Sequence, residues 1–159
     1  MTSVSSASDS GVLYIAVLLA HVVIGFLGFA ANLFTLLKAD AFVRKPKDRS
    51  VSTYFDGRTN LPSRIIALVP VFGILVALLG HQGADFKAAW FQAAVVIWLV
   101  LSIGCYLLVW PLEGAIAASL EGRVGASDPL KVRVRRANLF GYVMVVGYGV
   151  AFYLMLFKP

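Results

Sequence analysis

The chain has 159 residues, of which 60% are hydrophobic and only 14% charged, with a mean hydropathy of +0.84; a soluble globular domain would show about 45–50% apolar and about 25% charged residues, so that class is excluded. A single Cys excludes a disulfide framework and any Cys-based metal cluster. The net charge of +6, in so apolar a chain, reports membrane topology rather than nucleic-acid binding, and the lipid bilayer is the first partner to expect.

Between Ser10 and Leu37 there is no Asp, Glu, Lys or Arg, and the run exceeds the ~20 residues needed to cross a hydrocarbon core, so residues 11–37 read as a first spanning helix. The leader MTSVSSASDS carries no Lys or Arg. The apolar run behind it is also far longer than the 7–15 residues of a signal-peptide core, so the segment is expected to be retained. Residues 64–84 read as a second span, kinked at Pro70, where neighbouring helices can satisfy the carbonyl that proline leaves free. The third, residues 88–112, carries Trp90 and Trp110 near its two ends, where amphipathic rings prefer to sit. Residues 137–157 give the fourth. The expectation is an all-α membrane protein of a single domain, an antiparallel bundle of four transmembrane helices.

Twelve basic residues fall in the two loops on one side, Lys38 to Arg64 and Arg123 to Arg136, against Lys87 and Lys158 on the other. The positive-inside rule then places both basic loops in the cytoplasm and both termini outside, in a bacterial inner membrane. The first loop has a turn signal at Asp56-Gly57. In the second, Leu112, Ile116 and Leu120 recur every four residues, so the third helix is expected to run on to Gly122 or Gly125. The run containing Lys131, Arg133, Arg135 and Arg136 reads either as a stop signal orienting the fourth helix or as a patch for anionic lipid headgroups or phosphate.

Membrane helices associate through small residues and occasional polar contacts, so these mark the inward faces. On the first helix His21, Gly25, Gly28, Asn32 and Thr35 form one stripe at helical spacing. Pro70, Gly73, Ala77 and His81 do so on the second, Trp98, Ser102 and Cys105 on the third, and Gly141, Gly147 and Gly149 with Tyr148 on the fourth. Counting inward from the outer surface puts His21 level with Gly73, Trp98 and Tyr148, so Tyr148 or Trp98 is expected within its reach. His21 is the one ionisable residue expected deep in a span, and such a group is a functional hypothesis in itself. It reads as a neutral imidazole bonded to Tyr148 or to a carbonyl at the Pro70 kink, as a ligand of haem or metal, or as a proton carrier. Cys105 reads as a small apolar packing residue.

The segments LLAHVVIGFLGFAANLFTLL, LVPVFGILVALLG and ADFKAAWFQAAVVIWLVLSIGCYLLVWPLE resemble a family of small bacterial four-helix integral membrane proteins without an assigned activity. More distantly, the histidine followed by small residues is similar to the first helix of copper-resistance-D-type proteins and HemJ-type protoporphyrinogen oxidases. That kinship implies that His21 matches the oxidase's first-helix histidine. The span lysine of that enzyme type has no counterpart, because every Lys here lies in a loop or at a terminus.

There is no phosphate-binding glycine loop, HExxH or GxSxG motif. The leading functional reading is therefore a non-catalytic accessory or scaffold subunit of a membrane complex, partnered by other subunits or by itself. The alternatives are a b-type haem or porphyrin-binding protein centred on His21, and a small-molecule or metal carrier with a solvated path beside His21, Asn32 and the glycines.

Overall fold

The fold is taken from a computed structural model that describes residues 3–45, 48–56, 60–81, 84–122 and 128–157. Lys47, Gly57, Arg58, Arg123, Gly125 and Lys158, singled out from the sequence, lie outside the described residues. Among the described residues seven α-helices follow one another: α1 (Ser3–Arg44), α2 (Arg49–Tyr54), α3 (Leu61–Arg64), α4 (Val69–His81), α5 (Ala89–Gly104), α6 (Trp110–Leu120) and α7 (Asp128–Phe157). They build four stretches long and apolar enough to cross a membrane: Gly11–Arg44, Leu61–Gly80, Ala89–Leu120 and Pro129–Phe157. The chain is an all-α four-helix membrane bundle.

The prolines shape the spans as their chemistry requires. Pro70 has no N–H to offer the Ile66 carbonyl four residues earlier. The chain tightens there into a 3₁₀ turn, Ile65–Leu68, in which the Val69 N–H bonds Ile66 O instead, and the Trp98 indole donates to the same oxygen at 3.3 Å. Ahead of Pro111, α5 widens into a π turn, Cys105–Val109, before α6 continues the same rod. The third helix thus runs on past residue 112 as expected, to Leu120, and closes on Gly122, whose φ of +72° suits a residue without Cβ. The first helix extends past Leu37 to Arg44, so Lys38 is helical rather than the start of a loop. A short helix, α2, occupies the first loop; the Asp48 carboxylate caps it by accepting the Ser50 N–H at 2.8 Å.

α1 is the hub, packed against α3, α4 and α7, while α5 packs on α7. Paired contacts fix the registers. Along α1, Tyr14, His21, Gly28 and Asn32 meet Gly80, Gly73, Ile66 and Ser63 of the second span. Phe26, Phe29, Leu36 and Asp40 meet Phe152, Tyr148, Gly141 and Asn138 of α7. Both neighbours run antiparallel to α1.

Packing is uneven along these rods. The buried cluster joins Leu36, Ala39 and Phe42 of α1 to Val51, Phe55, Leu112, Ile116, Leu130, Val134 and Ala137 towards the end that carries the basic loops, and reaches through Val109 and Cys105 to Leu101 and Met144. In the other half no residue of α1 from Gly11 to Leu27, and none of α7 from Val145 to Phe157, is buried.

Candidate functional site

A polar cluster lies inside the bundle at its basic end, and the residues that make it come from four helices and the turn that leads into α3. Asn32 of α1 is fully buried. Its amide donates to the carbonyls of Gly28 and Ser63, both at 2.8 Å, and its oxygen accepts the Trp110 indole N–H at 3.1 Å. One turn on, the Thr35 hydroxyl shares a 2.7 Å hydrogen bond with the Tyr54 hydroxyl of α2 and accepts from the Asn60 amide at 3.2 Å. The Asn60 amide also reaches the Tyr54 oxygen.

At the centre is an ion pair. The Arg64 guanidinium of α3 donates to Glu113 Oε2 of α6 at 2.7 Å, with side-chain exposures of 27% and 11%. The same guanidinium lies 4.2 Å above the Trp110 ring and donates to Ser63 Oγ at 3.0 Å. Glu113 Oε1 stands 3.3 Å from Ser63 Oγ and 3.5 Å from Thr35 Oγ1. The Ser63 hydroxyl has one proton and a shorter acceptor in Asn60 O at 2.8 Å, so Arg64 is the partner that holds the carboxylate. Outside the spans, burial raises the Tyr54 hydroxyl above its ordinary pKa, opposed by its bonds to Thr35 and Asn60.

Reading the sequence placed Arg64 and Glu113 at span boundaries or in loops and made His21 the one deep ionisable residue. The structure adds what that reading did not contain: both residues are helical, near the basic-loop ends of the apolar stretches Leu61–Gly80 and Ala89–Leu120, and they meet each other. A signal was present: the two charges flank consecutive spans at the same end and are opposite in sign, with an indole three residues before the carboxylate.

The other predicted site residues separate. His21 Nδ1 lies 3.0 Å from the Val69 carbonyl, and its ring packs against Gly73. That is the bond at the Pro70 kink that the sequence offered as one reading. Among the described residues His21 has no hydrogen bond to Trp98 or Tyr148, and Tyr148 lies at another height. Trp98 bonds Ile66 O, and Tyr148 stacks on Phe29 at 4.4 Å, its hydroxyl lacking a partner among the described residues. Phe29 is two turns of α1 beyond His21, about 12 Å along the axis; the depth count failed because α7 is displaced along the bundle relative to α1. Cys105 is buried, with its sulfur 3.9 Å from that of Met144.

Of the packing stripe, Gly28, Asn32, Gly73 and Ala77 face neighbours as expected. Gly25 does not: nothing lies within 4 Å of where its Cβ would be, and the same holds for Gly149. Among the described residues no group of three or more His, Cys, Asp or Glu could hold a metal ion. Lys131, Arg133, Arg135 and Arg136 are all exposed on the first turns of α7.

Comparison with protein families, with curated proteins and with solved structures returned no match for this chain.

Proposed function

We propose that this integral membrane protein is a non-catalytic accessory or scaffold subunit of a larger membrane assembly. The observation that carries the reading is the uneven packing. One half of the bundle closes on itself around Asn32, Arg64 and Glu113. The other buries no residue of α1 from Gly11 to Leu27 and none of α7 from Val145 to Phe157, and presents Gly25 and Gly149 to open space. Glycines inside spans permit close helix approach, and these two are unused within one chain. The inner polar groups bond to one another, and the path that a carrier would need is filled at Gly28, whose Cβ position is 2.8 Å from the Ile66 backbone.

The test is the protein mass in mild detergent by light scattering. It should exceed that of one 17.2 kDa chain, and Gly25→Leu or Gly149→Leu should reduce it to one chain without lowering the melting midpoint. A stable monomer that brings down no other membrane subunit overturns the reading.

A haem-binding reading is favoured by a separate observation. A His21 Nδ1–H donated to Val69 O leaves Nε2 as the acceptor nitrogen, the arrangement that orients a metal-ligating imidazole. Tyr148 and Met144 are excluded as its second ligand by their distance along the bundle. Visible spectra of the protein from its native membrane, oxidised and dithionite-reduced, test this. A Soret band with reduced b-type peaks, lost in His21→Ala, supports it, and a featureless spectrum removes it.

A further inference from the structure

The first turns of α7 carry a pattern that the basic run alone does not reveal. At about 100° per residue, the buried Leu130, Val134 and Ala137 define the inward face. Lys131 and Arg135 then fall on one flank, and Arg133 and Arg136 on the other. Between the flanks, pointing directly away from the bundle, stand Val132 and Leu139, which are 49% and 67% exposed.

The height of this pattern is set by the register with α1. Asp40 bonds Asn138 at 3.3 Å, so Arg44 and the exposed Lys45 lie within about one turn of Arg135 and Arg136. Asp40 itself is bonded to Arg44 at 2.8 Å. Immediately towards the middle of the bundle the outward residues become apolar, with Leu37, Leu139 and Tyr142 all more than 60% exposed. Cations therefore sit at the edge of an apolar girdle, straddling an apolar ridge.

A soluble polyanion would satisfy the arginines and make no use of the apolar girdle beside them; a neutral lipid would cover the girdle and leave the guanidiniums without anions. We propose that this face of α7 binds an anionic phospholipid, its phosphate held by Arg133, Arg135 and Arg136 over the Val132 side chain and its acyl chain running past Leu139 towards the middle of the bundle. The proposal does not depend on a partner subunit, because it uses only residues exposed in the single chain.

The test uses the full chain in neutral detergent, where this face is accessible whichever way the helices insert. Phosphatidylglycerol and phosphatidylcholine are titrated separately and bound lipid is counted by native mass spectrometry. Phosphatidylglycerol should bind about tenfold more tightly or better, as expected for several basic residues acting near a lipid surface. The triple variant Arg133→Gln, Arg135→Gln, Arg136→Gln should abolish the preference, and the corresponding triple Lys variant should keep most of it. If the triple Gln variant does not fold, the single variants should each show a graded loss. Val132→Ser with Leu139→Ser should weaken phosphatidylglycerol binding while leaving glycerol phosphate binding unchanged. Equal affinity for the two lipids overturns the proposal. So does competition by free glycerol phosphate at the same concentration as phosphatidylglycerol, which would identify a phosphate site instead.

Discussion

Glu113 ties α6 to α3 through Arg64, and its substitution has a calculable direction. Glu113→Gln leaves the Arg64 guanidinium facing a neutral amide in a largely desolvated place. The expected loss is about 2 kcal/mol, between the ~0.6 of an average interhelical hydrogen bond in a membrane and the 3–5 of a fully buried broken pair. The double variant Glu113→Leu, Arg64→Met should recover most of this, because the apolar replacements have no desolvation cost to offset. Melting midpoints in one detergent, compared as a double-mutant cycle, check both numbers. Tyr54 provides a pH test. Burial raises its pKa in the folded chain, so the folded state keeps a proton that the unfolded state loses near pH 10. Its contribution is complete below that pH and falls as pH rises through it. The melting midpoint of the wild-type chain should therefore drop more steeply above about pH 10 than that of Tyr54→Phe.

Among the elements, α1 and the second span meet backbone against backbone, and glycine makes it possible. A Cβ at Gly28 would stand 2.8–2.9 Å from the Ile66 N, Cα and Cβ atoms, and backbone cannot swing aside as a flexible side chain can. Gly28→Ala should lower stability by about 2 kcal/mol or more despite alanine's better helix propensity. Gly25→Ala should stay within about ±0.5 kcal/mol in the single chain. Thermal unfolding of the two variants side by side measures the contrast. Both glycines belong to the same helical stripe in the sequence. That stripe is about 80° wide, wider than the line along which one neighbour touches, so its two edges meet different surroundings. Thr35 on one edge meets Tyr54; Gly25 on the other meets nothing within 4 Å. The kink at Pro70 was legible because proline's missing N–H is a local fact. The π turn before Pro111 was not, because the sequence does not say whether a helix will widen, tighten or bend to accommodate a proline.

For the molecule as a whole, the excess of basic residues at one end predicts orientation. With that end on the cytoplasmic side, a single Cys placed at exposed Ser52 in a Cys105→Ala background should be shielded from an impermeant maleimide in intact cells and labelled after permeabilisation. A Cys placed at Leu13, near the other end of α1, should show the opposite pattern.

The spans, their antiparallel order and the inward position of Asn32, Gly28 and Cys105 follow from the sequence itself. They depend on runs of apolar residues and on helical spacing, which are properties of consecutive positions. What only the tertiary structure decided is which residues share a height. Sliding one helix along another leaves both hydropathy profiles unchanged, yet it set Tyr148 opposite Phe29 instead of His21 and brought Arg64 of the second span against Glu113 of the third. The ion pair was hidden for the same reason. Each charge, read alone, marks the end of a span, and only the long third helix and the bent second one bring them together inside the bundle.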